Sequence, residues 1–250
     1  MDRRGICAFA VMAKAPQPGR AKTRLCPPLE PAQAAALSAA FLRDITDNIA
    51  HAARIVPIRS SVAYAPEGDE GWFDGHLAEG TDLFLADGSP PMPPDVRGLG
   101  RCLLHATEVL FAAGFAAVCL VNADSPTLPT AVLVEAARLL LDQGERIVIG
   151  PAEDGGYYLL GMTRPYPQLF TGIAWSTSSV AAATRARAAA LGLAVVTLQS
   201  WYDVDDPRSL GRLLAEIAGP STHPAPYRAP ATRSCLAQLG LGSHLPLAAQ

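Results

Sequence analysis

The run Ala117–Asn122 (AVCLVN) stays apolar up to its last residue. A strand with one face in water alternates apolar and polar residues. A strand covered on both faces need not, and the central strands of parallel sheets read this way. Around this run, short apolar stretches alternate with longer Ala/Leu-rich stretches of helical period. Strands are predicted at Ile6–Ala13, Ile58–Tyr64, Thr81–Leu85, Arg146–Gly150, Tyr157–Met162 and Ala194–Leu198. Helices are predicted at Pro31–Ile55, Leu99–Ala113, Thr130–Gln143, Thr177–Leu191 and Pro207–Ile217; in the first, Leu37, Phe41, Ile45 and Ile49 recur every fourth residue. This alternation predicts an α/β fold with a mostly parallel sheet covered by helices. Such sheets bind ligands beyond the carboxyl ends of their strands, where strand order reverses. The loops after Ala13, Asn122 and Leu198 are therefore the first places to seek chemistry.

Composition narrows the function classes. The chain has 250 residues, 50% of them hydrophobic and 17% charged, which excludes a disordered or fibrous chain. A net charge of −3 argues against nucleic acid as a partner. The run Ile6–Ala13 is too short for a membrane span and leads into Lys14 and a Pro-Gly loop, not a small-residue cleavage site. No span and no leader are expected, and five cysteines in irregular spacing read as free thiols in a reducing cytoplasm. Five scattered histidines and the absence of a Cys/His cluster speak against zinc. Proline and serine increase from Gly219 onward, so residues 1–218 read as the working domain and 219–250 as an appendage, ordered in part around Leu236–Leu241.

Charge is unevenly placed. Residues 3–29 carry six basic residues and no acid, whereas the remainder holds 14 bases against 23 acids. Four of the six, Lys14, Arg20, Lys22 and Arg24, lie within eleven residues after the first strand, around Gly19. Glycine permits close backbone approach, and convergent Arg and Lys donors suit a polyphosphate. Asp124 stands where the most apolar strand ends and could hold Mg²⁺ or Mn²⁺ against a diphosphate; the alternative is a turn or cap residue, although Thr130 is the better cap candidate. Asp206-Pro207 reads as a helix start, which leaves Asp203 and Asp205 unexplained. Residues two apart in extended chain point the same way, so these two carboxylates could face one site, or else form a solvated acidic turn. Glu153-Asp154-Gly155-Gly156 reads either as a hairpin turn or as a bare backbone wall with a carboxylate that orients an acceptor hydroxyl. Trp175-Ser176-Thr177-Ser178-Ser179 precedes a helix, where a hydroxyl could cap it or help bind an anion.

Together these segments resemble the bacterial DUF2064 family of the glycosyltransferase A superfamily. The carriers are Ala13-Lys14-Ala15-Pro16, Pro18-Gly19-Arg20, Lys22-Thr23-Arg24-Leu25, Asp124-Ser125-Pro126, Gly150 to Tyr158, Trp175-Ser176-Thr177 and Asp203-Val204-Asp205. They occur in order over residues 6–217. More distantly, the chain is similar to the phospholactate and phosphoenolpyruvate guanylyltransferases. The resemblance implies a Rossmann-like three-layer sandwich of the nucleotide-diphospho-sugar transferase type. It implies phosphate binding by Lys14, Gly19, Arg20, Lys22 and Arg24, and divalent metal (Mg²⁺ or Mn²⁺) at Asp124, Asp203 and Asp205. The expected partners are a nucleotide-activated donor and a small acceptor, with an oligomer compatible. Acceptor contacts fall to Gly155, Gly156 and Ser176, and a general base to Asp154 or Glu153. Glycosyl transfer is the leading expectation and nucleotidyl transfer to a small phosphorylated acid the alternative. The family's Gly-Asp-Leu-Gly-Glu-Arg-Leu run reads Arg97-Gly98-Leu99-Gly100-Arg101-Cys102-Leu103 here, without either acid. That loss motivates a further alternative, an inactive nucleotide-binding protein.

Overall fold

The computed structural model describes residues 3–219 and 225–241. Its strands are β1 (Cys7–Lys14), β2 (Ile58–Ala65), β3 (Asp82–Leu85), β4 (Ala117–Asn122), β5 (Arg146–Pro151), β6 (Tyr157–Met162) and β7 (Ala194–Thr197). Its α-helices are α1 (Pro31–Ala52), α2 (Leu99–Ala112), α3 (Thr130–Leu141), α4 (Val180–Ala190), α5 (Pro207–Ala218) and α6 (Pro230–Gln238). The strands form one sheet in the order β3-β2-β1-β4-β6-β5-β7. Only β6 runs against its neighbours, β4 and β5; the remaining pairs are parallel. The expected α/β sandwich with a mostly parallel sheet is borne out.

β1 shows why the sheet is covered on both faces. Cys7, Phe9, Val11 and Ala13 enter the core shared with α1, α3, α5 and α6, whereas Ala8 and Ala10 enter the core shared with α2 and α4. A fully buried large apolar side chain contributes about 1.5–3 kcal/mol. A one-residue slip would exchange the two faces and put Phe9 and Val11 where only alanine fits, so the register is strongly specified. β1 lies between β2 and β4, and there the chain order reverses. The crevice this creates opens beyond Lys14 and Asn122.

Helix ends explain most boundary differences. Pro31 occupies the first turn of α1, and Gln33 Oε1 accepts from the Glu30 N–H at 2.9 Å. α5 starts as expected: Asp206 Oδ1 accepts from the Ser209 N–H at 2.7 Å, and Ser209 Oγ accepts from the Asp206 N–H at 3.0 Å. Thr130 does not cap α3. It is the first helical residue, and its hydroxyl donates to Asn48 Oδ1 at 2.6 Å, satisfying a buried amide whose Nδ2 donates to Leu128 O. α4 begins at Val180, three residues later than expected, and no side chain caps it. Thr177 Oγ1 donates instead to Ala174 O at 2.7 Å, so the hydroxyl is spent within the preceding turn.

Part of the region beyond residue 218 is integral to the fold. α6 packs on α1, with Leu236 buried and Leu241 packed against the same core. Residues 220–224 and 242–250 of the predicted appendage, which include His223 and His244, lie outside the described residues. All five cysteines are free, and among the described residues no helix is long and apolar enough to cross a membrane.

Candidate active site

The segment after β7 is knitted to two other loops at the crevice. The Val204 N–H donates to Asp124 O at 2.8 Å, and Ser125 Oγ donates to Tyr202 O at 2.9 Å. The Trp201 N–H donates to Pro151 O at 3.1 Å, and the Glu153 N–H returns to Trp201 O at 3.0 Å. These bonds bring Asp203 and Asp205 to the ends of β4 and β5, about 80 residues away in sequence from Asp124.

A cleft of about 700 Å³ opens there. Its lining includes Lys14, Arg20, Lys22, Arg24, Asp124 and Asp205. Ala63, Tyr64, Ala86, Leu99 and Cys102 also line it. A wider hollow of about 970 Å³, beside Gly5, Ile55, Val134 and Leu139, contains none of the candidate residues. The smaller cleft is therefore the candidate site.

Lys22 stands at its centre. Its Nζ donates to Asp124 Oδ1 at 2.6 Å, Asp205 Oδ1 at 2.8 Å and Val204 O at 2.7 Å, and its side chain is only 6% exposed. Burial opposes the charge, but the two carboxylates outweigh it and hold the ammonium above the ordinary lysine value. Lys22 has φ 50°, in the left-handed region, and its ammonium lies 5.5 Å from the centre of the Phe41 ring. The other loop cations are exposed. Arg20 Nη1 lies 3.0 Å from Gln17 Oε1 and 3.4 Å from Asp69 Oδ2, and Arg24 acts electrostatically on Asp206. The basic segment is thus partly neutralised by acids from distant loops, which its own sequence could not reveal. Among the described residues, Lys14 has no ion pair.

Asp203 is half-buried, and its carboxyl is pushed up to about 7. Burial is the largest cause; Asp205, Asp154 and Asp124 add like charge, while its own backbone N–H eases it. Asp154 is exposed and its Oδ1 accepts from the Gly156 N–H at 2.8 Å. Glu153 turns elsewhere: Arg212 of α5 pairs with it at 2.5 Å while stacking over the Tyr202 ring at 3.9 Å. The residues 152–156 do close a hairpin between β5 and β6. Gly155 has φ 91°, and a Cβ there would lie 2.1 Å from Ser178 O, so only glycine lets this turn pack against the approach to α4. Ser176 is exposed, with φ 61°.

The altered run forms the start of α2. Gly98 is in the N-cap position with φ 53° and no side-chain cap. Arg101, in the run where the resemblance led to the expectation of an acid, donates to Gly88 O at 2.6 and 3.0 Å and to Pro90 O at 3.1 Å, pinning the proline-rich loop. Leu99 and Cys102 face the cleft. Sequence reasoning missed these two, as well as Tyr64 and Asp69. The rule that located the loop after β1 applies equally to the carboxyl end of β2, which places the latter pair.

Among the described residues, no group of three His, Cys, Asp or Glu side chains is gathered to hold a metal ion, and Lys22 lies between Asp124 and Asp205. The donor set nonetheless fits a hard divalent cation. It is all oxygen, and Asp203 stands in the field of three further carboxylates, Asp205, Asp154 and Asp124.

A family described as "Uncharacterized protein conserved in bacteria (DUF2064)" matches residues 48–177. The segments holding Lys14–Arg24 and Asp203–Asp205 lie outside that match. The crystal structure of a candidate nucleotide-diphospho-sugar transferase from Desulfovibrio desulfuricans G20 is 27% identical, with TM-score 0.77, covering 94% of this chain and 97% of that one. Two others share the fold. Glucosyl-3-phosphoglycerate synthase from Mycobacterium tuberculosis, in complex with Mn²⁺, UDP and glucosyl-3-phosphoglycerate, is 14% identical with TM-score 0.50, covering 97% and 81%. A cytidylyltransferase from Leptospira borgpetersenii serovar Hardjo-bovis is 10% identical with TM-score 0.51, covering 97% and 99%. No curated protein matches the chain.

Proposed function

We propose that this chain, which belongs to the DUF2064 family of proteins conserved in bacteria, is a transferase that draws on a nucleotide-activated donor. One observation carries this: the cations of the first loop and the aspartates from two distant loops line a single cleft at the switch point of the sheet. Positive donors suit a polyphosphate, and the same charges stabilise a departing phosphate group. The likeness to the Desulfovibrio protein supports a nucleotide sugar as donor and glycosyl transfer as the reaction.

In this reading Lys14, Arg20 and Arg24 neutralise the phosphates, and Gly19, with φ 76°, keeps the loop backbone open to them. Asp124, Asp203 and Asp205 would hold Mg²⁺ or Mn²⁺. When bound, such an ion supplies charge to the departing nucleoside diphosphate. Asp154 is the better placed general base, because Glu153 is held by Arg212. Asp154 lies on the same turn as Gly155 and Gly156, against which an acceptor hydroxyl would rest, with Ser176 near the following helix. Glu153 then positions the turn.

Nucleotidyl transfer is the second reading. Three exposed cations on one loop provide more positive charge than a diphosphate sugar needs and suit a triphosphate. Product analysis separates the two. With Mn²⁺ or Mg²⁺ and a panel of small acceptors, release of nucleoside diphosphate from a nucleotide sugar supports glycosyl transfer. Release of pyrophosphate from a nucleoside triphosphate supports the second reading. Metal-dependent binding with neither product would mark an inactive nucleotide-binding protein.

A further inference from the structure

Two tasks converge on one place. Lys22 is expected on phosphate and Asp124 with Asp205 on a metal ion, yet the ammonium sits between those two carboxylates. Resting on the donor reading above, we infer that Lys22 is the resident counter-ion of the metal site, exchanged for a divalent cation only when a polyphosphate is present to receive its ammonium. Metal loading is therefore conditional on the nucleotide.

The ammonium has three N–H donors, and three acceptors already use them: Asp124, Asp205 and the Val204 carbonyl. None remains for phosphate in this position, so Lys22 cannot serve both ligands at once. A divalent cation would draw on the same two carboxylates whose charge the ammonium already balances. With the ammonium 2.6 and 2.8 Å from their oxygens, two cations would crowd one point in a poorly solvated pocket. Occupancy is exclusive.

Lys22 also cannot simply withdraw. It is held beside the Phe41 ring at 6% exposure, and a buried charge deprived of its partners is strongly destabilising. An incoming anion removes that penalty. The left-handed backbone of Lys22 is unfavourable for a residue with a side chain, so the local conformation persists through its contacts. The two exposed arginines of the same loop would draw the anion to the freed ammonium. Linkage then requires reciprocity: nucleotide must strengthen metal binding by the factor by which metal strengthens nucleotide binding.

The test is calorimetric titration of the full chain with Mn²⁺ alone, then with UDP or GTP as probes. Wild type should bind Mn²⁺ weakly without nucleotide. Lys22→Met should bind Mn²⁺ alone at least tenfold more tightly, and its melting temperature should rise more with Mn²⁺ than that of wild type. Lys22→Arg, which keeps a cation there, should stay weak. Equal or weaker Mn²⁺ binding by Lys22→Met overturns the exchange. If Lys22→Met does not fold alone, recovery of a cooperative melt on adding Mn²⁺ supports the exchange, and no recovery overturns it. Failures are separable. Tight Mn²⁺ binding by Lys22→Met, with no binding of UDP or GTP by wild type, sinks the donor reading alone. Mn²⁺-dependent nucleotide binding by wild type, with no gain in Lys22→Met, sinks the exchange alone.

Discussion

Asp44 and Asp203 are both lifted above the usual carboxylate range, chiefly by burial, but their surroundings are opposite. Asp44, on α1, is fully buried and accepts from the backbone N–H groups of Ala231 at 3.0 Å and Thr232 at 2.7 Å. Those amides begin α6, whose N-cap position is filled by Ala229 in the left-handed region with no side-chain cap. The carboxylate of one helix thus caps another. Asp203 is only half-buried, yet three carboxylates face it. A charge retained for architecture comes with donors that use its lone pairs. A charge retained for binding leaves them open at the expense of stability in the empty protein.

The sharpest way to break this contrast is at the acidic cluster. Asp203→Asn should reduce metal-dependent nucleotide binding or turnover by about 100-fold or more, equivalent to about 2.7 kcal/mol. The melting temperature without ligand should hold or rise, because a repelled charge is gone. A large loss of stability without ligand would make Asp203 architectural. Asp124→Asn should lose binding to a similar degree but also lower the melting temperature without ligand. Lys22 would then keep only one of its two carboxylates. A partially unsatisfied buried group costs about 1–3 kcal/mol, and in a chain of this size each kcal/mol shifts the midpoint by roughly 2–4 °C. Denaturation and binding measured on the same preparations separate the two variants.

Asp44→Ala tests the other side. Two amides at the start of α6 lose their acceptor, and the expected cost is about 1–3 kcal/mol. Urea unfolding should register it, while nucleotide affinity stays within about twofold. A matching fall in affinity would mean that the α1–α6 junction is coupled to the cleft.

The two aspartates also mark what could be read from the chain. The uninterrupted apolar run of β4 and the fourfold spacing in α1 announced a covered parallel sheet, because burial on both faces leaves its mark in local pattern. Asp206-Pro207 announced a helix start for the same reason: capping is local chemistry. Asp124, Asp203 and Asp205 could be singled out as acids without a local purpose. A lysine between Asp124 and Asp205 could not be foreseen, since Lys22 lies 102 residues from the one and 183 from the other. The pairing of Glu153 with Arg212 and of Arg20 with Asp69 was hidden likewise, and so was the reuse of Arg101 as a clamp on the Gly88–Pro90 backbone. Asp44 looked like any polar residue of an amphipathic helix, because its value depends on a segment nearly 190 residues later, where local pattern had faded.

The smallest effect is the pH dependence of that same junction. In the native protein Asp44 holds its proton to a higher pH than the ordinary value of 3.8, because burial, with the like charge of Asp47, opposes its charge more than Thr232 and the Ala231 amide favour it. Between that value and the raised one, the native state binds more protons than the unfolded chain. Stability contributed by Asp44 is therefore greatest below the window and declines as pH rises through it. Asp44→Asn has no such proton to lose, and its carboxamide oxygen can still accept one amide. The difference in unfolding free energy between wild type and Asp44→Asn should consequently shift in favour of the variant as pH rises from below 3.8. Asp203 titrates in both proteins and cancels in the difference, so a flat difference across this range would mean that the two amides compensate the burial of Asp44 in full.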